Sequence, residues 1–282
     1  MSLNESTLSS LFAPGPPPKR KRMSHLESLI DNSQQQVSVI KDTRVVPSQA
    51  VRLNSGMIKV QVGPAMDSED LQSTRETFYV HESAICDASP YFANAMKPEW
   101  SNLRPDPRTI ELPEDDPAAF ELYMSFLYAK QLPILSVPSE AATTAAANSS
   151  WEPESDGYHT LAYAYVLGDR LLDIKFKNAI VDAYVLYARG TQPAKRYYPS
   201  TEEIRILYEG TREEAPIRQL LVDIWTARGK SDWLEADADL PREFLAQVTK
   251  GLLKSREKAT GIGAAEGLSR PWKLSHEQYH EK

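Results

Sequence analysis

The stretch Met57-Ile58-Lys59-Val60-Gln61-Val62 places Ile58, Val60 and Val62 on one face and Lys59 and Gln61 on the other. A period of two in such a run dictates a strand with one buried and one wetter side. Gly63-Pro64 ends it. Thr77-Phe78-Tyr79-Val80 resumes the β-branched and aromatic composition after a polar connection, so the pair reads as a hairpin with a long loop. His81-Glu82-Ser83-Ala84-Ile85-Cys86 follows as a short helical segment, and Ser89-Pro90 is an N-cap with proline at the first helical position. Thr109-Ile110-Glu111-Leu112 is a further alternating strand. Asp115-Asp116-Pro117 then repeats the cap-and-proline device ahead of a helix with Phe120, Tyr123, Met124 and Leu127 on one stripe.

Those residues carry a resemblance. The string FYVHESAICDASPYFANAMKPEW, followed by IELPEDDPAAFELYMSFLYAKQLP, resembles a BTB/POZ domain, most of all its fungal variety. The marks are His81 with Ile85 four residues on, Ser89-Pro90-Tyr91-Phe92, the LPEDDP junction between strand and helix, and FLYAKQL. The resemblance implies an α+β class: a BTB/POZ fold, that is, a small mixed sheet covered by a cluster of helices. A C-terminal all-helical extension and a disordered N-terminal tail complete the expected architecture. The expected divisions are residues 1–53 as that tail, 54–190 as the BTB/POZ domain, 200–257 as a helical extension packing on it, and 258–282 as a flexible tail. A mobile loop at about 133–157 is expected to interrupt the domain, because SVPSEAATTAAANSSWEPESDG is small, polar and proline-bearing. Pro133-Ile134-Leu135 reads as a strand just before that loop.

The periodic pattern returns at Tyr158. Leu161, Ala164, Tyr165 and Gly168 share a face, and Phe176, Ile180, Ala183, Tyr184 and Tyr187 line the next helix. Both resemble the closing helices of the BTB fold. Gly168 implies near contact between helices, where a larger side chain would overpack. Ser200 with Glu203 is a capping box closed by Gly210, and Thr211 with Glu214 reads as a second one before Pro216. Ile217, Leu220, Leu221 and Ile224 line one helix; Phe244, Leu245, Val248 and Leu252 line the last. LYEGTREEAPIRQLLVDIW resembles the extension that follows fungal BTB domains. Trp272 is the lone anchor candidate of the tail.

A net charge of −7 over 282 residues argues against wholesale nucleic-acid binding. No apolar run approaches the ~18 to 20 residues that span a membrane, and the N-terminus has no signal core, so no membrane partner and no export are expected. One cysteine, Cys86, rules out an internal disulfide and any cysteine-based zinc cluster. His81, Glu82 and Cys86 have neither the HExxH spacing nor a third metal ligand. A Cys86–His81 dyad would lack an orienting group and an oxyanion site. Glu114, Asp115 and Asp116 serve a helix N-terminus, where negative charge is favoured. The chain is therefore read as no enzyme, with no catalytic residue, metal, cofactor or direct nucleic-acid contact.

Function is left to surfaces. BTB domains are protein-interaction modules, so the resemblance implies an adaptor with protein partners, self-association as a homodimer among them. Tyr91, Met96, Trp100, Asn102 and Trp151 are the candidate partner-binding residues, and Trp151 has two readings: docking a partner or tucking back onto its own domain. In members that bind a cullin-type ubiquitin-ligase scaffold, a hydrophobic residue, any residue, then glutamate follows the second short helix. Trp100-Ser101-Asn102 holds that position, and asparagine there loses a charge-assisted bond. In many members an aspartate precedes the first strand, and in the transcriptional-repressor subset, which lines a pocket with this charge pair, a basic residue often follows the histidine. Here Asn54-Ser55-Gly56 and Glu82 stand there, which removes that pair. Lys19, Arg20, Lys21 and Arg22 read either as a nuclear import signal or as a solvated charge run. The first makes a nuclear, transcription-associated regulator the alternative, and the expected location is nucleus, cytoplasm or both.

Overall fold

Ile58, Val60 and Val62 are fully buried, and the strand that carries them, β1 (Met57–Val62), is the centre of the sheet. The computed structural model describes residues 53–64, 75–135, 156–190, 198–236, 239–260 and 270–282. β1 pairs antiparallel with β2 (Glu76–His81), Lys59 facing Tyr79, and parallel with β3 (Thr109–Leu112), Lys59 facing Thr109. The result is a mixed three-stranded sheet in the order β2-β1-β3. One wet and one dry face follow from the alternation that marked β1 in the sequence.

Three short helices lie between β2 and β3: α1 (Glu82–Ala88), α2 (Pro90–Ala95) and α3 (Pro98–Ser101). Ser89 starts α2 as expected. Its hydroxyl accepts from the Phe92 amide at 3.3 Å and donates to the Leu171 carbonyl at 2.7 Å, so one buried group caps a helix and ties it to a distant one. Asp116 caps α4 (Pro117–Ala129) by accepting from the Ala119 amide at 2.8 Å. Only Asp116 of its acidic trio caps. Arg170 takes Asp115 at 2.9 Å and Glu114 at 3.2 Å. Burial raises the Asp115 carboxyl pKa above its ordinary value despite the guanidinium beside it.

α5 (Asp156–Leu171) packs against α4, α6 (Ile174–Arg189) and α7 (Thr201–Gly210). A Cβ on Gly168 would lie 2.9 Å from Lys177 Cγ and 3.1 Å from Phe176 Cδ1. Asp173 caps α6, and it also accepts a bond from the Tyr123 hydroxyl at 3.2 Å. Phe176 in turn meets the rings of Tyr123 and Phe126, with centroids 4.9 and 5.3 Å apart. α8 (Pro216–Arg228), α9 (Ser231–Ala236) and α10 (Arg242–Thr260) follow, then α11 (Pro271–Leu274) and a 3-10 turn (Glu277–Tyr279). One hydrophobic core runs from Ile58 to Tyr279 without a break.

Four expectations are corrected. Pro133-Ile134-Leu135 forms no strand: the Ile134 amide turns back to the Leu132 carbonyl, and the Ile134 carbonyl accepts from the Tyr187 hydroxyl at 2.8 Å. Thr211 and Glu214 do not cap α8, whose N-cap is Ala215; the Thr211 hydroxyl donates instead to the Leu207 carbonyl. Leu252 is 48% exposed. The tail expected to be flexible from 258 is helical to Thr260, and over 270–282 it is packed, with Trp272 0% and Tyr279 1% exposed. The N-terminal expectations, Lys19 to Arg22 among them, and most of the 133–157 loop lie outside the described residues.

Candidate protein-docking surface

The chain turns sharply between α2 and β3, and proline density explains it: Pro98, Pro105 and Pro107 remove three backbone donors within ten residues. Backbone turns such as Trp100 amide to Lys97 carbonyl and Arg104 amide to Ser101 carbonyl hold the segment, and two polar side chains add to them. Arg104 donates to the carbonyls of Ala95 at 2.9 Å and Pro107 at 2.7 Å, and lies 3.6 Å from the Met96 sulfur. Asp106 accepts from the Arg108 amide at 3.0 Å and the Thr109 hydroxyl at 2.5 Å. These two bonds hold its carboxyl below the usual range.

On this braced segment two large apolar side chains face water. Trp100 is 60% exposed and Leu103 76%, and the Leu103 amide bonds the Trp100 carbonyl, so the two are neighbours on one turn. Asn102 is exposed between them. Tyr91 and Met96 are half-buried, Tyr91 edge-on to Phe92 with centroids 5.4 Å apart. Of the residues singled out in the sequence, Trp100 and Asn102 share this exposed turn, Met96 meets it through Arg104, and Tyr91 packs on Phe92; Trp151 lies outside the described residues. Leu103 and Arg104 escaped the sequence reading. The signal available was an isolated leucine in a proline-rich loop, an apolar residue with no periodic partner.

Other polar groups of the domain are engaged elsewhere. The His81 Nδ1 is hydrogen-bonded to the Tyr128 hydroxyl at 3.0 Å, and that oxygen also accepts from the His81 amide at 3.1 Å. Burial, with Glu82 and Asp87 adding to it, pushes the Cys86 thiol up to about 11, far from the thiolate a nucleophile needs. Glu82 pairs with Arg108 at 2.9 Å, and Arg108 also donates to the Met57 carbonyl. An open groove of about 640 Å³ between Met124, Tyr128 and Pro133 presents no convergent set of titratable groups among its lining residues. Among the described residues, no helix is long and apolar enough to cross a membrane.

A family model for the BTB/POZ domain matches residues 70–152. The chain carries a BTB/POZ domain. The matched range begins in the connection before β2, yet β1 is the middle strand of the sheet, so the BTB fold here starts before the match does. No curated protein shows significant similarity to the chain. A BTB/POZ domain is a protein–protein interaction module, which suits a surface whose exposed groups are apolar and braced.

Proposed function

We propose that the chain is a non-enzymatic adaptor of the fungal BTB type, whose α3 surface docks a protein partner on Trp100 and Leu103. The carrying observation is that these side chains stand in water on a segment fixed by Arg104 and Asp106. Tryptophan is a favoured interface anchor, and a braced anchor loses little conformational freedom on docking. The helical extension that follows the domain supports the fungal affiliation. The test is affinity purification from cells with the wild-type chain and a Trp100→Ala/Leu103→Ser variant, whose fold is checked by circular dichroism. The variant should lose partners that the wild type retains. Identical partner sets would refute the surface, and a strictly monomeric chain with no partner at all would refute the adaptor.

A second reading, a cullin-type scaffold on the same surface, is favoured by one observation: Asn102 is exposed directly beyond α3, where the scaffold-binding triplet ends. Asn102→Glu restores the missing acid. It should strengthen capture of a purified cullin, and no capture by either form at micromolar concentration disposes of this reading. The basic residues Lys19, Arg20, Lys21 and Arg22 support a nuclear pool. A fluorescent fusion with all four replaced by alanine should become cytoplasmic, and an unchanged distribution refutes import by that cluster.

A further inference from the structure

Asp182, on the third turn of α6, meets two imidazoles that come from the far end of the chain. The His280 Nε2 lies 2.8 Å and the His276 Nε2 3.6 Å from the same oxygen, Asp182 Oδ1. We propose that Asp182, His276 and His280 form a binding site for a transition-metal dication, with Zn2+ the natural occupant.

Three observations carry this beyond a chance cluster. The first is spacing. Zinc bonds of ~2.0 to 2.1 Å in a tetrahedral site set ligand atoms about 3.3 Å apart. The two measured separations bracket that value, and one ligand atom from each of the three residues lies within 4.8 Å of the others. The second is preorganisation. His276 and His280 flank the 3-10 turn, which sets their rings 5.3 Å apart on the same side. That turn is pinned at both ends. Tyr279 is buried and its hydroxyl donates to Asp223 at 2.6 Å. The Glu281 amide donates to Asn178 Oδ1 at 2.8 Å, and the Glu281 carboxylate takes Lys177 at 2.6 Å and the Tyr165 hydroxyl at 3.0 Å. Backbone placement is therefore fixed without the metal, and side-chain rotation alone has to draw the three ligand atoms, already within 4.8 Å of one another, into a coordination sphere.

The third observation is chemistry and access. Two imidazoles and one carboxylate suit borderline ions such as Zn2+ and Co2+, whereas Mg2+ and Ca2+ want oxygen ligands. All three residues are partly exposed, so an ion has a way in, and three protein ligands leave a fourth position for water. Bound metal would cross-link the last residues of the chain to α6.

Untagged full-length protein is titrated with Zn2+ alone, and separately with Co2+, whose visible bands report four-coordinate geometry. We expect one equivalent bound, no competition from excess Mg2+, and a rise in melting temperature with Zn2+. His276→Gln and Asp182→Asn should each weaken binding by at least about tenfold, even the loss of an outer-shell partner costing 10- to 100-fold. His276 makes the longer contact to Asp182, so its variant keeps the His280–Asp182 hydrogen bond and tests binding separately from folding. Absence of binding at millimolar Zn2+, or affinity unchanged in both variants, overturns the site.

Discussion

Cys86 shows how far a side chain can be from the chemistry its identity suggests. Its thiol is pushed up to about 11 from 9.0, chiefly by burial. Two units of pKa lower the thiolate fraction at neutral pH about 100-fold, and a more basic thiolate recovers about tenfold of that in nucleophilicity, so alkylation by iodoacetamide should run about tenfold or more slower than for a free thiol. The rate should keep climbing with pH until near 11; a plateau near pH 9 would contradict the burial argument. The sign for stability follows. The unfolded chain loses this proton before the folded one does, so the Cys86 contribution is intact below pH 9 and is lost as pH rises towards 11. Arg218 is the opposite case, a buried cation held by design of its surroundings. It donates to Thr211 Oγ1 at 3.0 Å, the Tyr208 carbonyl at 2.6 Å, the Thr211 carbonyl and Glu243 at 3.2 Å, and its guanidinium covers the Tyr208 ring. Lysine keeps the charge but not the fork. Arg218→Lys should cost about 2 to 3 kcal/mol, the scale of a lost charged hydrogen bond, and chemical denaturation would show it; a loss under about 0.5 kcal/mol would mean the fork is dispensable.

Elements were legible where local chemistry and burial agreed. β1 declared itself because its alternation matches the one dry face it has, and α2, α4 and α7 because cap residues sit one turn ahead of their partners. The second capping box failed for a physical reason: Thr211 has the right type and spacing, but Arg218, buried seven residues on, recruits its oxygen. The exposed turn proposed for docking is half legible. Trp100 and Asn102 were found by position, whereas the bracing by Arg104 is made through backbone carbonyls, which no residue pattern records. Gly168 was read as a close-packing position, and its neighbours bear that reading: Phe176 and Lys177 leave no room for a Cβ. Gly168→Leu should therefore destabilise by about 3 kcal/mol or more through overpacking at the α5–α6 crossing. In urea the midpoint should fall with the slope unchanged, since the surface exposed on unfolding stays the same. A midpoint equal to the wild type would show that the crossing yields.

At the scale of the molecule, the residues that close the core are those with no pattern of their own. Trp272 and Tyr279 are isolated aromatics, so period and propensity are silent about them; only the tertiary structure shows α11 on α6 and α8, and the 3-10 turn on α8. The Trp272 carbonyl receives two bonds from the Arg189 guanidinium, and Glu281 neutralises the buried Lys177. Removing residues 270–282 would thus strip an apolar plug from α6 and α8 and leave Lys177 with Asp169 as its remaining ion-pair partner. Trp272→Ala alone should cost about 3 to 5 kcal/mol, a large share of the roughly 5 to 15 kcal/mol that holds a typical protein folded. The deletion should do at least as much, lowering the melting temperature by several degrees and loosening α6 and α8 first in hydrogen exchange. A fraying appendage would give another result: a truncated chain with the same melting temperature and the same protection along α6, which would mean that the core closes without its last turn.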